Sequence, residues 1–105
     1  MKTPPTYEVL IGDCAERLKE LPDASVHLIV TSPPYADQRK NTYGGISPDE
    51  YVKWFLPIAK QCQRVLAPTG SMIINIKEKV VKGQRHRYVL HLIDALVERQ
   101  GWLWT

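Results

Sequence analysis

Leu28-Ile29-Val30-Thr31-Ser32-Pro33-Pro34-Tyr35 is the stretch whose reading decides the fold. The apolar, largely β-branched run from Val26 to Val30 stops at two consecutive prolines, the pattern of a buried strand emptying into a rigid, irregular turn. Neither proline has an amide hydrogen and both have a fixed φ, so the turn offers carbonyl oxygens and no donors. Ser32 adds a hydroxyl oxygen and Tyr35 a flat aromatic face. A pocket of this kind suits an amino group on a planar ring, its hydrogens accepted by oxygen and its face stacked on tyrosine. On these residues alone, a stiff turn whose tyrosine covers a sheet edge is the competing reading. An α/β sheet places its ligand site at the carboxyl ends of its strands, where this turn falls.

Upstream, Tyr7 to Ile11 reads as a short strand closed by Gly12-Asp13. A short helix follows, with Ala15, Leu18 and Leu21 on one side and Pro22 as its stop. Asp13 and Glu16 have capping-box spacing. With Val26 to Val30 as the next strand, this is a βαβ unit with parallel strands. Downstream, Ala36 to Ile46 reads as a polar loop. Ser47-Pro48-Asp49-Glu50 then opens a helix, with Ser47 as cap and Pro48 at the first helical position. Tyr51, Phe55, Ile58, Cys62 and Val65 form its apolar stripe, and it ends near Leu66, at Pro68-Thr69-Gly70. Ser71 to Ile76 is a further strand and Lys77 to Gln84 a charged connection. Val89, Leu92, Ile93, Leu96 and Val97 recur at helical spacing from about Arg85 to Gln100, and Gly101 ends that helix. Trp102 to Thr105 reads as the start of a fourth strand. The order β-α-β-loop-α-β-α-β makes a three-layer α/β domain.

The 105 residues allow one domain, and the 44% hydrophobic and 24% charged content is that of an ordinary globular chain. A net charge of +3 is a mild pull toward polyanions. Cys14 and Cys62 have no paired spacing, and His27, His86 and His91 converge on no metal pattern, so neither a disulfide framework nor a metal centre is expected. His27 falls in a strand that should be buried and is read as structural, as are Trp54 on its helix and Trp102 and Trp104 on their strand. No apolar run is long enough to span a membrane and Met1 to Pro5 lacks a signal peptide's apolar core, so a cytoplasmic protein is expected.

Thr31-Ser32-Pro33-Pro34-Tyr35, with Leu28-Ile29-Val30 before it and Gly12-Asp13-Cys14 further upstream, resembles the catalytic half of the S-adenosylmethionine-dependent DNA amino-methyltransferases. The resemblance covers nearly the whole chain and implies a Rossmann-like methyltransferase sandwich, in the permuted order in which the catalytic region precedes the cofactor region. The serine form of the motif is most similar to cytosine-N4 enzymes, whereas an aspartate at position 32 would point to adenine-N6. By resemblance, Ser32 and the Pro33 carbonyl accept the hydrogens of the target amino group, Pro34 stiffens the turn, and Tyr35 stacks on a base flipped out of double-stranded DNA. The resemblance also places Asp13 and Thr31 beside S-adenosylmethionine, Asp13 as acceptor for the exocyclic amine of its adenine. Helix capping is the equal alternative for Asp13. Arg39, Lys40 and Tyr43 are candidates for phosphates near the flipped base, against a plain solvated loop. Lys77, Lys79, Lys82, Arg85, His86 and Arg87 form a basic stretch that faces either DNA or solvent.

The chain departs from the family in lacking the Phe-x-Gly-x-Gly loop that holds the methionine part of the cofactor, and Gly44-Gly45 does not replace it. The acidic residue that grips the ribose and the target-recognition region are missing too. The expectation is therefore a single partial catalytic domain over residues 1–105, with the cofactor-loop strands absent and open strand edges that seek a second polypeptide or another copy. Such a fragment, truncated or half of a split enzyme, is expected to bind cofactor weakly or not at all alone. A fragment that only binds DNA or a partner chain is the reading from another class.

Overall fold

A computed structural model describes residues 6–33 and 46–105 of the chain. Helix α1 (Cys14–Leu18) is followed by strand β1 (Val26–Thr31), then a 3-10 turn (Pro48–Glu50) that runs directly into helix α2 (Tyr51–Val65). Strand β2 (Leu66–Ile74), the short strands β3 (Val80–Val81) and β4 (Gln84–Arg85), and helix α3 (Tyr88–Gln100) complete the order.

β1 and β2 pair in parallel, Leu28 opposite Ser71, Ile29 opposite Met72, Val30 opposite Ile73 and Thr31 opposite Ile74. Paired residues of parallel strands point to the same face. Ile29, Thr31, Met72 and Ile74 are half-buried toward the helices, and Ile74 and Ile76 pack on the core. Leu28, Val30 and Ile73 point the other way and are 56%, 66% and 54% exposed. A sheet apolar on both faces is the mark of a middle layer.

The core is the contact between α2 and α3. Tyr51, Phe55 and Ala59 of α2 cluster with Tyr88, Leu92 and Leu96 of α3, and Cys62, Val65 and Ala95 are buried beside them on the same helices. The stripe expected on α2 holds except that Ala59 is buried and Ile58 half-buried, the small residue being part of the core cluster. On α3, Val89 and Ile93 are half-buried and Val97 is exposed, because this flank faces a groove beside β2. Tyr51 and Tyr88 stack at a tilt with ring centroids 4.9 Å apart, and Trp54 meets Tyr51 edge-on at 5.3 Å. Such pairs contribute about 0.5–1.5 kcal/mol each beyond burial. The α3 end is pinned to α2 by Gln100 Nε2 donating to the Leu56 carbonyl (2.8 Å) and Gln63 Nε2 donating to the Gln100 carbonyl (2.6 Å).

Several expectations are corrected. Tyr7 to Ile11 forms no strand: Tyr7 is 94% and Ile11 86% exposed, and a run with no neighbour to pair leaves its amides and carbonyls to water. The parallel unit is therefore β1-α2-β2, not one built on residues 7–30. Trp102 to Thr105 is not a strand either. Trp102 packs on the core with its indole N–H donated to Gln100 Oε1 (3.0 Å), and Trp104 is exposed. His27 is exposed. Ser47 stands at the cap position but makes no side-chain cap bond. The loop expected over Ala36 to Ile46, with Gly44-Gly45, lies outside the described residues apart from Ile46.

β2 pairs from Leu66 onward, earlier than Ser71, through an irregularity. Val26 faces Leu66 while Leu28 already faces Ser71, so Ala67-Pro68-Thr69-Gly70 is accommodated against a single residue of β1. There the chain closes in on itself: a Cβ at Gly70 would lie 2.8 Å from Leu66 Cδ2 and 3.1 Å from the carbonyl oxygens of both Ala67 and His27. Backbone on two sides cannot step aside cheaply. Gly70→Ala is expected to destabilise the fold by about 1–3 kcal/mol, read as a lower urea midpoint at unchanged slope.

Candidate active site

Parallel pairing sets the carboxyl ends of β1 and β2 side by side, and the Asn75 amide donates to the Thr31 carbonyl at 2.9 Å to close the ladder there. The next residue of β1, Ser32, is exposed, and Pro33 after it is buried. Ser32 is therefore exposed at the sheet edge, between a residue whose carbonyl the ladder holds and a buried proline. Thr31 is half-buried on the helix side of the sheet, its carbonyl already engaged by Asn75. Pro34, Tyr35, Arg39, Lys40 and Tyr43 lie outside the described residues.

The same edge carries the starts of both long helices. His86 Nδ1 accepts from the Tyr88 amide (3.1 Å), which puts the proton of a neutral ring on Nε2, where it is donated to Asp49 Oδ1 (3.1 Å). The Tyr88 hydroxyl donates to the Lys77 carbonyl just beyond β2. One imidazole thus ties the first turn of α3 to the turn that opens α2, and one phenol ties α3 to the exit of β2. Sequence spacing carried no sign of this link, since Asp49 and His86 are 37 residues apart.

Lys77 to Gln84 is more than a connection. Val80 pairs with Arg85 and Val81 with Gln84 in an antiparallel hairpin, turned by Lys82 (φ 52°) and Gly83 (φ 78°). Two successive positive φ values define the two-residue turn whose twist matches a hairpin, and glycine fills its second position without strain. Val-Val-Lys-Gly was the available signal.

Asp13 caps α1: its Oδ1 accepts from the Ala15 amide at 2.8 Å, as the capping reading required. Glu16 does not return the bond; it pairs with Lys19 at 3.3 Å. No hydrogen bond among the described residues joins Asp13 to Thr31 or Ser32. What positions α1 is Arg64 of α2. Its guanidinium donates to the carbonyls of Leu18 (2.9 Å) and Leu21 (3.0 Å), to Asp23 Oδ1 (2.5 Å) and to Gln61 Oε1 (3.0 Å). The Arg64 carbonyl in turn accepts from the Ala24 amide (3.0 Å).

Among the described residues no cluster of His, Cys, Asp or Glu could hold a metal ion, and no helix is long and apolar enough to cross a membrane. The cysteines are free, Cys14 exposed and Cys62 buried. Burial pushes the Cys62 thiol up, negative charge at Cys14 adds to the rise, and a backbone hydrogen bond partly offsets it. This is the environment of an inert core thiol.

A parallel strand pair with a crossover helix, a helix behind the sheet and a polar motif at the carboxyl edge define a Rossmann-like α/β protein. Comparison with known proteins gives the family. The DNA methylase family model matches residues 26–105, so the chain belongs to the DNA methylases. The type II methyltransferase M.PvuII of Proteus hauseri is 39% identical over 93 residues, which is 87% of this chain and 28% of that protein. The DNA adenine methyltransferase YhdJ of Escherichia coli K12 is 38% identical over 69 residues, 63% of this chain and 23% of that one. The solved structure of the cytosine-N4-specific PvuII DNA methyltransferase superimposes with a TM-score of 0.74 at 38% identity, over 87% of this chain and 33% of that one. The chain thus spans about a quarter to a third of the length of these relatives.

Alkylating reagent at mild alkaline pH is expected to modify Cys14 promptly and Cys62 only on unfolding, resolved by peptide mass spectrometry. Because the folded thiol titrates above the ordinary value that it regains on unfolding, its contribution to stability is complete below that value and is lost as pH rises through the folded one. Cys62→Ala should flatten this alkaline decline in chemical denaturation.

Proposed function

We propose that the chain is the catalytic part, a single partial domain, of a DNA methyltransferase that transfers a methyl group to the exocyclic N4 of cytosine in double-stranded DNA. The observation that carries this reading is Ser32, exposed at the carboxyl end of β1, with Pro33-Pro34-Tyr35 next in the sequence. The likeness to the PvuII enzyme supports cytosine as the target.

The methyl donor is S-adenosylmethionine, which supplies an electrophilic methyl on a positively charged sulfur. Of this chain's residues, Asp13, whose Oδ1 caps α1, would offer its other carboxylate oxygen to the exocyclic amine of an adenine, and Thr31 would stand beside the donor at the strand end. The Phe-x-Gly-x-Gly segment that would hold the methionine part is not among the 105 residues, so these residues fit one end of the donor. The target nitrogen shares its lone pair with the ring and is a poor nucleophile. Ser32 Oγ and the Pro33 carbonyl accept its two hydrogens and localise that pair, while Tyr35 holds the flipped base by stacking. A bound donor would supply its methyl group to that nitrogen and leave as the neutral thioether, with one amino proton passing to water. No covalent bond to the protein is needed, in keeping with the buried Cys62.

Arg39, Lys40 and Tyr43, next in the chain after the motif, are proposed to contact phosphates beside the flipped base. The open edges of β1 and β2 and the bare Leu28, Val30 and Ile73 face are proposed to be completed by further protein, in the same polypeptide, a second one or another copy. The setting is a bacterial-type modification system in the cytoplasm. One specific observation favours a second target, adenine N6: the likeness to YhdJ, named an adenine methyltransferase.

Mass spectrometry of nucleosides from DNA treated with the assembled enzyme is expected to show N4-methylcytosine; N6-methyladenine would assign the second target. Ser32→Ala is expected to slow transfer by about a hundredfold and Tyr35→Ala to abolish it. Undiminished turnover by Tyr35→Ala would refute the base-stacking role.

A further inference from the structure

The β3–β4 hairpin has no part in the chemistry above, yet it leaves β2 at the carboxyl end and so rises from the same edge as Ser32. Its base is rigid. The His86 amide donates to the Lys79 carbonyl at 2.7 Å, and the bonds from His86 to Asp49 and from Tyr88 to Lys77 fasten both strands to the helix starts. Its faces are unequal. Lys79, Val81, Gln84 and His86 share the face from which His86 reaches back to the body, whereas Val80 and Arg85 share the opposite, exposed face. Lys82 stands at the exposed tip.

The charge is one-sided as well. The segment from Lys77 to Arg87 has Glu78 as its lone acid, and Glu78 holds Arg85 at 2.6 Å with both side chains exposed. Lys79 and Lys82 have no ion pair among the described residues. A stiff base with a cationic outer face and tip costs little ordering entropy on meeting a polyanion, and a two-stranded ribbon fits alongside or within a duplex groove.

We propose that the β3–β4 hairpin is a DNA-contacting arm in which Lys82 and Arg85 hold backbone phosphates next to the base presented at Ser32, phosphate displacing Glu78 from Arg85. This deepens the reading of the chain as a DNA methyltransferase and rests on it. The contacts are to phosphate and therefore add affinity and register without reading sequence.

The test is fluorescence anisotropy of a labelled duplex over a salt series with the assembled enzyme, its Lys82→Gln/Arg85→Gln variant, and a charge-matched Lys60→Gln/Arg99→Gln control in the groove near the far ends of α2 and α3. These positions are solvent-facing, and matching thermal melts verify folding. The arm variant is expected to bind all sequences more weakly and to lose about 0.9 of the log–log salt slope per phosphate contact, nearly two in total. The control should keep its slope, and Glu78→Gln should bind more tightly than the parent. An unchanged slope in the arm variant, or an equal loss in the control, would overturn the proposal. Methyl transfer by the parent is scored separately: slope loss without any transfer removes the enzymatic reading and leaves the arm, whereas transfer with an unchanged slope removes the arm alone.

Discussion

Two parallel strands cannot be joined by a tight turn, because the chain must travel back to the starting edge before it can pair again. In this protein α2 makes that journey, and most of the remaining architecture follows from it. The crossover buries an apolar stripe, Tyr51, Phe55, Ala59, Cys62 and Val65, of which Tyr51, Phe55 and Ala59 form one core with α3 and with Ile74 and Ile76 at the end of β2 and just beyond it. It also sets the ends of β1 and β2 together at one edge, where the Asn75 amide meets the Thr31 carbonyl. Ser32 is exposed there because the strand ends, and it is held there because the ladder reaches up to the residue before it.

Around this pair the polar interactions act mainly as fasteners between elements distant in sequence. Arg64 spans 41 to 46 residues to bind Asp23, Leu21 and Leu18. Two of its acceptors are backbone carbonyls: Leu18, which also accepts from the Leu21 amide, and Leu21, and leaving a carbonyl unpaired and shielded from water costs about 1–3 kcal/mol. The exposed ion pairs, such as Arg17 with Glu20, count for much less. His86 and Tyr88 do for the carboxyl edge what Arg64 does for α1. The edge that bears Ser32 is accordingly braced by α2, α3 and the exit of β2.

Local features of this fold were legible in the sequence and non-local ones were not. β1 and its stop at Ser32, the Asp13 cap, the stripe on α2 and the Gly101 end of α3 all follow from residues within a turn or two of one another. The Tyr7 to Ile11 run has as good a strand pattern as β1 yet forms none, since pattern cannot supply a neighbour to pair with. Val80 to Arg85 was obscured by its charge, although Lys-Gly between short β-compatible runs has a turn's chemistry. Of the candidate site, the position of Ser32 and Pro33 could be read directly. The Asp49–His86 tie and the Arg64 clamp depend on where α2 and α3 pass, which no short motif encodes.

The reach of the Arg64 clamp also imposes an order of events on the ribosome. The acceptors at the end of α1 and after it have no guanidinium to bind, and β1 has no strand to pair with, until residue 64 and the strand after it have emerged, some 40 residues later. At about 5–20 residues per second that interval is roughly 2–8 s. Throughout it, Val26 to Val30 is an unpaired, β-branched run without charge, the kind of segment that associates with copies of itself. Pro33 and Pro34 then acquire a second significance: placed directly at the run's end, they limit how far a mispaired strand could extend. The same residues that shape the proposed pocket guard the nascent chain.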